Sequence, residues 1–497
     1  MSQQQQHVVV IGGSVAGLGA GLALAKDGHR VTILEGDPSP MPASHVEAFE
    51  QWERRGSPQT RHSHALLARL RNLIRDHAPE LLDKLLACGA GELGFADMVA
   101  RLAPGAALEP GDEDVVLLAC RRVTFEWVLR RHVLDTGLVD FRDGVRVEGL
   151  LAAPGAPPHV TGVRIVEPGA GAPRELAADF VVDASGRRSM LGDWLPAVGC
   201  EPVRSESEPC GIFYTSRFYR LLEGVEPPAM EGPIVGEDLG YMKIGLFPGD
   251  ARIFSITLAA SPDDDAMRAV LHRPAFEAAA AALPHVAAWV DPAVSEPISD
   301  VHAMANLKNT RRFLVDGGEP RVTGFAAIGD ALIHTNPITG RGCSLAWVGA
   351  FELARCLAEH RGDARETVLA YDAAIEREVV PWYGMQVQQD RDAIEVNQAQ
   401  RRGEDPFAVV RPDGTNDPRA FMRSVIREGL IPAIRTDVTV MRRFMRLMNL
   451  LDPPTDLMRD PAFFGRIVAC YNQRHERAPL HEGPGRTEMV EILRSAA

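Results

Sequence analysis

The chain has 497 residues, 45% hydrophobic and 24% charged, with a formal net charge of −14 at pH 7. That length exceeds one ordinary core and suits two or three domains, in the composition range of a folded globular protein. Its acidity argues against a nucleic-acid partner, because phosphate binding needs a basic surface.

Seven cysteines stand apart at 88, 120, 200, 210, 343, 356 and 470, with no CxxC pair. Neither a zinc knuckle nor a redox dithiol is expected, and scattered thiols fit a reducing cytoplasm. The opening MSQQQQHVVVIGG has no basic segment before its short apolar run. Nothing later approaches the roughly 18 unbroken apolar residues of a membrane span, so no integral membrane segment is expected and the expected location is cytoplasmic.

In chain order, Val8 to Ile11 reads as a buried strand that ends in glycines. Ala16 to Lys26 reads as a helix with Gly28 past its end, and Val31 to Leu34 as a second strand. This βαβ order predicts a parallel sheet. Residues 38 to 61 read mostly as connection. Helices are predicted over roughly His64 to Leu86 and Thr124 to Val133, with strand-like pieces from Val139 to Leu151. The Gly/Pro-rich stretch 152 to 174 reads as a loose hairpin, and Phe180 to Val182 as another buried strand.

From about 191 to 314 the pattern becomes alternating, as in Tyr241 to Leu246 and Arg252 to Leu258, which predicts antiparallel strands. The βα pattern returns at Ala326, with a long helix after Gly342, and beyond 376 the chain reads as helical. The expected fold is α/β. A Rossmann-like nucleotide-binding domain (1–190, with a helical excursion at about 62–105, and 315–375) holds an inserted, mostly antiparallel β domain for substrate (191–314). A helical C-terminal region follows (376–497).

Three glycine-centred motifs carry the chemistry. Gly12-Gly13-Ser14-Val15-Ala16-Gly17 lies between a strand and a helix, where a dinucleotide fingerprint needs glycine for the turn, for approach to pyrophosphate and for packing. Ser14 stands at the second glycine position, and its hydroxyl is expected to reach a phosphate beside the helix N-terminus. Glu35, eighteen residues past Gly17, ends the next strand, where a carboxylate accepts from ribose hydroxyls. The second motif is Asp183-Ala184-Ser185-Gly186-Arg187-Arg188-Ser189. The third runs from Gly329-Asp330 through His334 and Pro337 to Gly340-Arg341-Gly342 and opens a helix. A carboxylate at a strand end can hold a polyol, and glycines before a helix let N–H groups approach a carbonyl that becomes negative on reduction.

With these three motifs in order, the sequence resembles the group A flavoprotein monooxygenases, the p-hydroxybenzoate hydroxylase-like family. PQTRHSHALL (58–67) and NPITGRGCSLA (336–346) are similar to a bacterial subgroup of secondary-metabolism hydroxylases and epoxidases. The resemblance implies bound FAD and NAD(P)H as electron donor. It implies transfer of one oxygen atom from O2, by way of a peroxyflavin, to a small organic substrate, apolar or aromatic. It also implies that Gly12, Gly13, Ser14, Ala16 and Gly17 meet the diphosphate, that Glu35 meets the ribose, and that Arg122 helps hold the flavin. Gly329 and Asp330 would face the ribityl chain, and Pro337, Gly340, Arg341 and Gly342 the ring. Asp183 and Gly186 belong to a motif tied to both FAD and NAD(P)H. Ser14 and Ala184 depart from the family's glycines, and the second departure weakens the pyridine-nucleotide role.

His62 and His64, beside Arg61, lack the Cys or carboxylate companions of a metal site, so no metal is expected. They read as loop anchors or, by the resemblance, as candidates near the flavin edge. His334 can move protons near neutral pH but sits in a packed motif, so it is a weak catalytic candidate. Cys343 reads as a packing residue. Tyr214, Tyr219, Tyr241, Met242 and Phe247 fit either a pocket or a strand core, and Met441 to Leu451 an amphipathic packing helix rather than a membrane contact.

Competing readings are a flavin-dependent halogenase, an isoprenoid-chain reductase and a redox-silent flavin-binding protein; a separate flavin reductase is a candidate partner. The tryptophans at 52, 127, 194, 289, 347 and 382 never form the WxWxIP segment of the halogenases.

Overall fold

A computed structural model describes residues 5–230, 235–410, 414–477 and 483–496. In chain order, the elements that position the site are β1 (His7–Ile11), α1 (Val15–Lys26), β2 (Arg30–Glu35), α2 (Arg122–Thr136), β3 (Val139–Asp143) and β4 (Phe180–Asp183). They continue with β5 (Phe213–Leu221), β6 (Val235–Asp238), β7 (Met242–Pro248), β8 (Ile253–Ala260), β9 (Phe325–Ala327), α3 (Gly342–Glu359) and α4 (Val380–Arg401).

The β-branched run of β1 is buried at every residue, as a central parallel strand must be when both faces are covered. It lies between β2 and β4 in a five-stranded sheet of order β9-β4-β1-β2-β3, every pair parallel. Register matters for function here. Ile11 pairs with both Leu34 and Asp183, and Ala327 with Asp183, so the turns after β1, β2, β4 and β9 leave the same edge of the sheet. That carboxyl edge is where open α/β sheets bind ligands.

The expected α/β class with an inserted antiparallel sheet and a helical C-terminal part is what the structure contains. The inserted sheet has the order β6-β7-β8-β5, extended by Ser295–Pro297. One face is covered by helices Arg273–Ala282 and Pro284–Val290, which the alternation did not reveal.

Several expectations are corrected. The helix read from His64 to Leu86 is two helices, Ala68–His77 and Pro79–Ala87, because Pro79 cannot continue the first and starts the second. Residues 38 to 61 contain a helix, His45–Gln51, capped by Ser44. The loose hairpin is a three-stranded meander, Arg146–Ala153, His159–Val166 and Arg174–Ala177. Within the helical C-terminal region, Arg486–Ala496 returns to bury Met489, Val490 and Leu493 in the core of the inserted lobe, a contact the sequence did not indicate. The stretch Met441 to Leu451 lies largely in a packing helix, Val438–Met448, whose Arg442 is paired with Asp112 at 2.8 Å. Among the described residues no helix is long and apolar enough to cross a membrane.

The returning helix gives a stability prediction. Met489 is 0% exposed among the same residues as Trp289. Met489→Ala should cost about 2–5 kcal/mol, read by urea unfolding followed on tryptophan fluorescence. A loss near zero would show that the last helix is not part of that core.

Candidate active site

One cavity of about 660 Å³ runs along the carboxyl edge of the parallel sheet and under the inserted lobe. That volume lies within the range of about 300–1,000 Å³ typical of cofactor and substrate sites. Glu35, Asp37 and Val145 line one end, Gly12 to Ala16 and Arg122 the middle, and Asp330, Pro337, Gly340 and Gly342 the far part.

The first turn is shaped by what it excludes. Gly12 has φ +102°, and a Cβ there would lie 2.6 Å from the Ala184 carbonyl oxygen. A Cβ on Gly17 would lie 1.8 Å from the Gly12 oxygen, so the turn closes only with glycine at both places. Gly17 therefore packs behind the turn and does not face the cavity, whereas Val15 and Ala16 bring the first turn of α1 to the wall. Ser14 is the N-cap residue but makes no side-chain bond to its own helix.

Ser14 lines the cavity, and its hydroxyl is engaged within the protein. Its one proton goes to Glu126 Oε2 at 2.8 Å, and its lone pairs accept from Arg122 Nη2 at 3.1 Å and Ser57 at 3.0 Å. A hydroxyl so engaged has no proton left for a phosphate. It belongs instead to a buried ionic cluster. Glu126 pairs with Arg122 at 2.7 Å and Arg54 at 2.8 Å, and Arg54 also pairs with Glu35 at 2.9 Å and Asp37 at 3.2 Å. Arg130 reaches the Gly13 carbonyl at 3.1 Å and packs over Phe141, while Arg54 and Arg130 both pack on Trp52. Glu35 keeps its strand-end position, accepting from the N–H groups of Gly13 and Asp37 while it lines the cavity. Burial alone would raise the Glu126 carboxyl, but Arg122, Arg54, Arg130 and Ser14 outweigh it and bring it down to about 2.

The other motifs divide between wall and support. Asp183 is 0% exposed and accepts from Ser185 and Ser189, so it braces its loop, and burial raises its carboxyl pKa. Gly186, Arg187 and Arg188 reach the cavity wall. Gly329 does not, since its α-carbon packs toward Ala346 and Ala16, whereas Asp330 does. His334 lines the wall but is tethered through Nδ1 to the Lys308 carbonyl at 2.6 Å, a link that fixes the turn.

Arg341 departs from the expected ring-facing role. Its side chain is 0% exposed, gives Nη1–H to Gln386 of α4 at 2.9 Å and lies over Trp382. Burial lowers its pKa to about 10. Gln386 also accepts from Thr339 and donates to Asp390, which in turn accepts from Asn309 and Asn336. This network anchors the turn Asn336–Gly340 from beneath.

His64 lines the cavity and His62 lies just behind it. Burial, then neighbouring cationic groups, lowers His62 to about 3 and His64 to about 4, so both are neutral at pH 7. Among the described residues no cluster of three or more His, Cys, Asp or Glu side chains is arranged for a metal. Of the five aromatic and soft residues singled out in the insert, Tyr214 and Phe247 line the cavity, while Tyr219, Tyr241 and Met242 belong to the lobe's core.

Sequence reasoning missed Arg54, Glu126, Arg130, Gln386 and Asp390. A signal existed for part of this set, because Arg122, Glu126 and Arg130 recur every fourth residue on one helix and so share a face. Arg54, Gln386 and Asp390 come from distant segments, and nothing local marks them as buried.

The cluster predicts a pH dependence. A carboxylate whose folded pKa is depressed stabilises fully above its ordinary value of 4.5, and that share is lost as pH falls toward about 2. Glu126→Gln should lower stability near neutral pH by about 3–5 kcal/mol, because it leaves buried arginines undercompensated. It should also flatten the decline across that acid window, as read by thermal unfolding at stepped pH. An acid limb unchanged by the substitution would contradict the pairing.

A family model described as an FAD binding domain matches residues 5–201. Protein Rv3254 of Mycobacterium tuberculosis is 30% identical over 391 residues, 75% of this chain and 76% of that protein. Among solved structures, the myxobacterial chondrochloren halogenase CndH is similar with TM-score 0.56 and 17% identity, over 99% of this chain and 97% of that one. The OxyS anhydrotetracycline hydroxylase from Streptomyces rimosus has TM-score 0.54 and 18% identity, over 90% of this chain and 76% of that one. At such identities the likeness to the two structures is one of fold. With the glycine turns, the groove they line and these relatives together, the chain belongs to the group A FAD-dependent monooxygenase family and is an FAD-dependent oxidoreductase.

Proposed function

We propose that this protein uses NAD(P)H and O2 to insert one oxygen atom into a small apolar or aromatic substrate, by hydroxylation or epoxidation. The observation that carries this reading is the continuity of the groove. The Gly12–Ala16 turn, Asp330 and the Pro337–Gly342 turn line the same cavity as Tyr214, Phe247, Met304 and Ile338. A cofactor held along the first part leaves its reactive end beside an apolar pocket.

The residues fit FAD. Gly12 and Gly17 let the turn close, so that its backbone at Gly12 to Ser14 faces the cavity where a diphosphate would lie, and α1 directs its positive end there. Arg122 is fixed by Glu126 and Ser14 with an edge on the cavity, and Glu35 lines the end where a ribose would lie. Asp330 stands where a ribityl hydroxyl would need an acceptor, and the turn Pro337–Gly342 where a ring would rest. Gly186, Arg187 and Arg188 are at the rim, suited to an anionic electron donor. Bound FAD supplies a ring that takes two electrons and then activates O2. The chain's own residues orient it, hold charge at its edge and, through Tyr214, Phe247 and Met304, keep water from the reacting end.

Two outcomes check this reading. Reduction of the FAD-loaded protein by NADPH without O2, then exposure to 18O2 with an aromatic substrate panel, should give labelled product. Substrate reduced without O2, halide in the product, or no flavin reduction would overturn it. Ser14→Gly removes one bond each to Glu126 and Arg122, so FAD affinity should fall about 10-fold, or about 1.4 kcal/mol. FAD fluorescence titration reads this change, and an unchanged affinity would show that Arg122 is positioned without the serine.

A further inference from the structure

Behind the turn Asn336–Gly342 the protein buries one cation and one anion, joined through a glutamine. Arg341 stands between Gly340 and Gly342, which line the groove, yet its own side chain leaves on the other side and is 0% exposed. Its guanidinium meets a neutral acceptor, Gln386 Oε1 at 2.9 Å, and the face of Trp382. Among the described residues its Nε and Nη2 have no hydrogen-bond partner. Asp390, one turn beyond Gln386 on α4, is 6% exposed.

Obligate donors fix the sense of the bonds around Asp390. Arg341 can only donate, so Gln386 turns its oxygen to the guanidinium and gives Nε2–H to Asp390 Oδ1 at 2.9 Å. The backbone N–H of Ile338 donates to Asn336 Oδ1, and that of Asn336 to Asn309 Oδ1. Both asparagines therefore present Nδ2–H to the same carboxyl, at 2.9 and 2.7 Å. Three amide donors converge on Asp390 and hold it as a carboxylate, against the burial that raises its pKa. Arg341, brought down to about 10 by burial, is still a cation at neutral pH.

Fastening the turn does not call for charge at position 341. Thr339 already bonds Gln386 at 2.9 Å, and a neutral side chain would fill the same place without the cost of burying a cation. What the cation adds is its field, which a low-dielectric surrounding screens weakly.

We propose that Arg341 and Asp390 set the reduction potential of the flavin in opposite senses, the arginine raising it and the aspartate lowering it. This rests on the reading that the ring lies against Pro337 to Gly342. Reduction adds electrons to the ring; a fixed cation behind the turn favours that charge and a fixed anion opposes it. Neither side chain touches the ring, and no bond forms or breaks at either. Their balance matters because the ring must first take electrons from its donor and then pass them to O2.

The test is anaerobic, dye-equilibrated reduction of the FAD-loaded full chain without substrate. In Arg341→Met the equilibrium constant for two-electron reduction should fall about 10-fold, a potential about 30 mV lower. In Asp390→Asn it should rise by a similar factor, and the double variant should return to within about 3-fold of the native protein. Arg341→Lys, which keeps the charge, should stay near the native potential. A role confined to fastening would move both single variants in the same direction or leave both unmoved, and either result overturns the proposal. If Arg341→Met does not hold FAD, Asp390→Asn decides alone: a raised potential supports the pair, and an unchanged or lowered one overturns it. The structure of the FAD complex reads the ring position independently. A ring seated elsewhere removes the premise, whereas an unmoved potential with the ring on the turn removes the charge pair alone.

Discussion

The site depends on one buried carboxylate. Glu126, fully enclosed on α2, binds Arg122 from its own helix, Arg54 from the connection after β2, and the hydroxyl of Ser14 at the head of α1. Burying such charges is expensive, and a buried pair is poor grounds for assuming extra stability. Its value here is geometric. It ties α2 and the connection after β2, distant in sequence, to the first glycine turn and sets the guanidinium of Arg122 at the groove wall. The serine in place of the fingerprint's second glycine thus has a physical reason, since a glycine would have offered this cluster nothing to bind.

The groove has a second fastening at its other end. Helix α4 supplies Gln386 and Asp390, which gather Thr339, Arg341, Asn336 and Asn309 into one network beneath the turn, although Nε and Nη2 of the buried Arg341 have no partner among the described residues. Hydrogen bonds from several segments to the same two side chains restrict how the turn can move. The turn that would meet a flavin ring is therefore held from the C-terminal part of the chain, not only by the sheet that leads into it. Between the two fastenings the inserted lobe forms the roof, and its own core is completed by the last helix.

The parallel sheet was legible because β1, β2 and β4 are short runs of apolar, largely β-branched residues followed by glycine or an acid, a local pattern with few alternative folds. The positions of Gly12, Glu35 and Asp330 followed from it. Helix breaks were less visible: Pro79 interrupts an amphipathic run that reads as continuous until its proline is weighed. The side-chain partners of Ser14 and Arg341 were not legible because each lies within a motif whose backbone faces the groove, while its side chain answers to partners far along the chain. Helices 273–282 and 284–290 were obscured by the alternating strands around them. The return of Met489 to the inserted lobe depends on long-range packing alone.

The structure of the FAD complex at high resolution tests the central claim most directly. The account requires the diphosphate to lie against the first turn of α1 with Arg122 beside it, Glu126 still bound to that arginine, and the ring against Pro337 to Gly342. A diphosphate seated instead on the rim arginines Arg187 and Arg188, or an Arg122 released from Glu126, would contradict it.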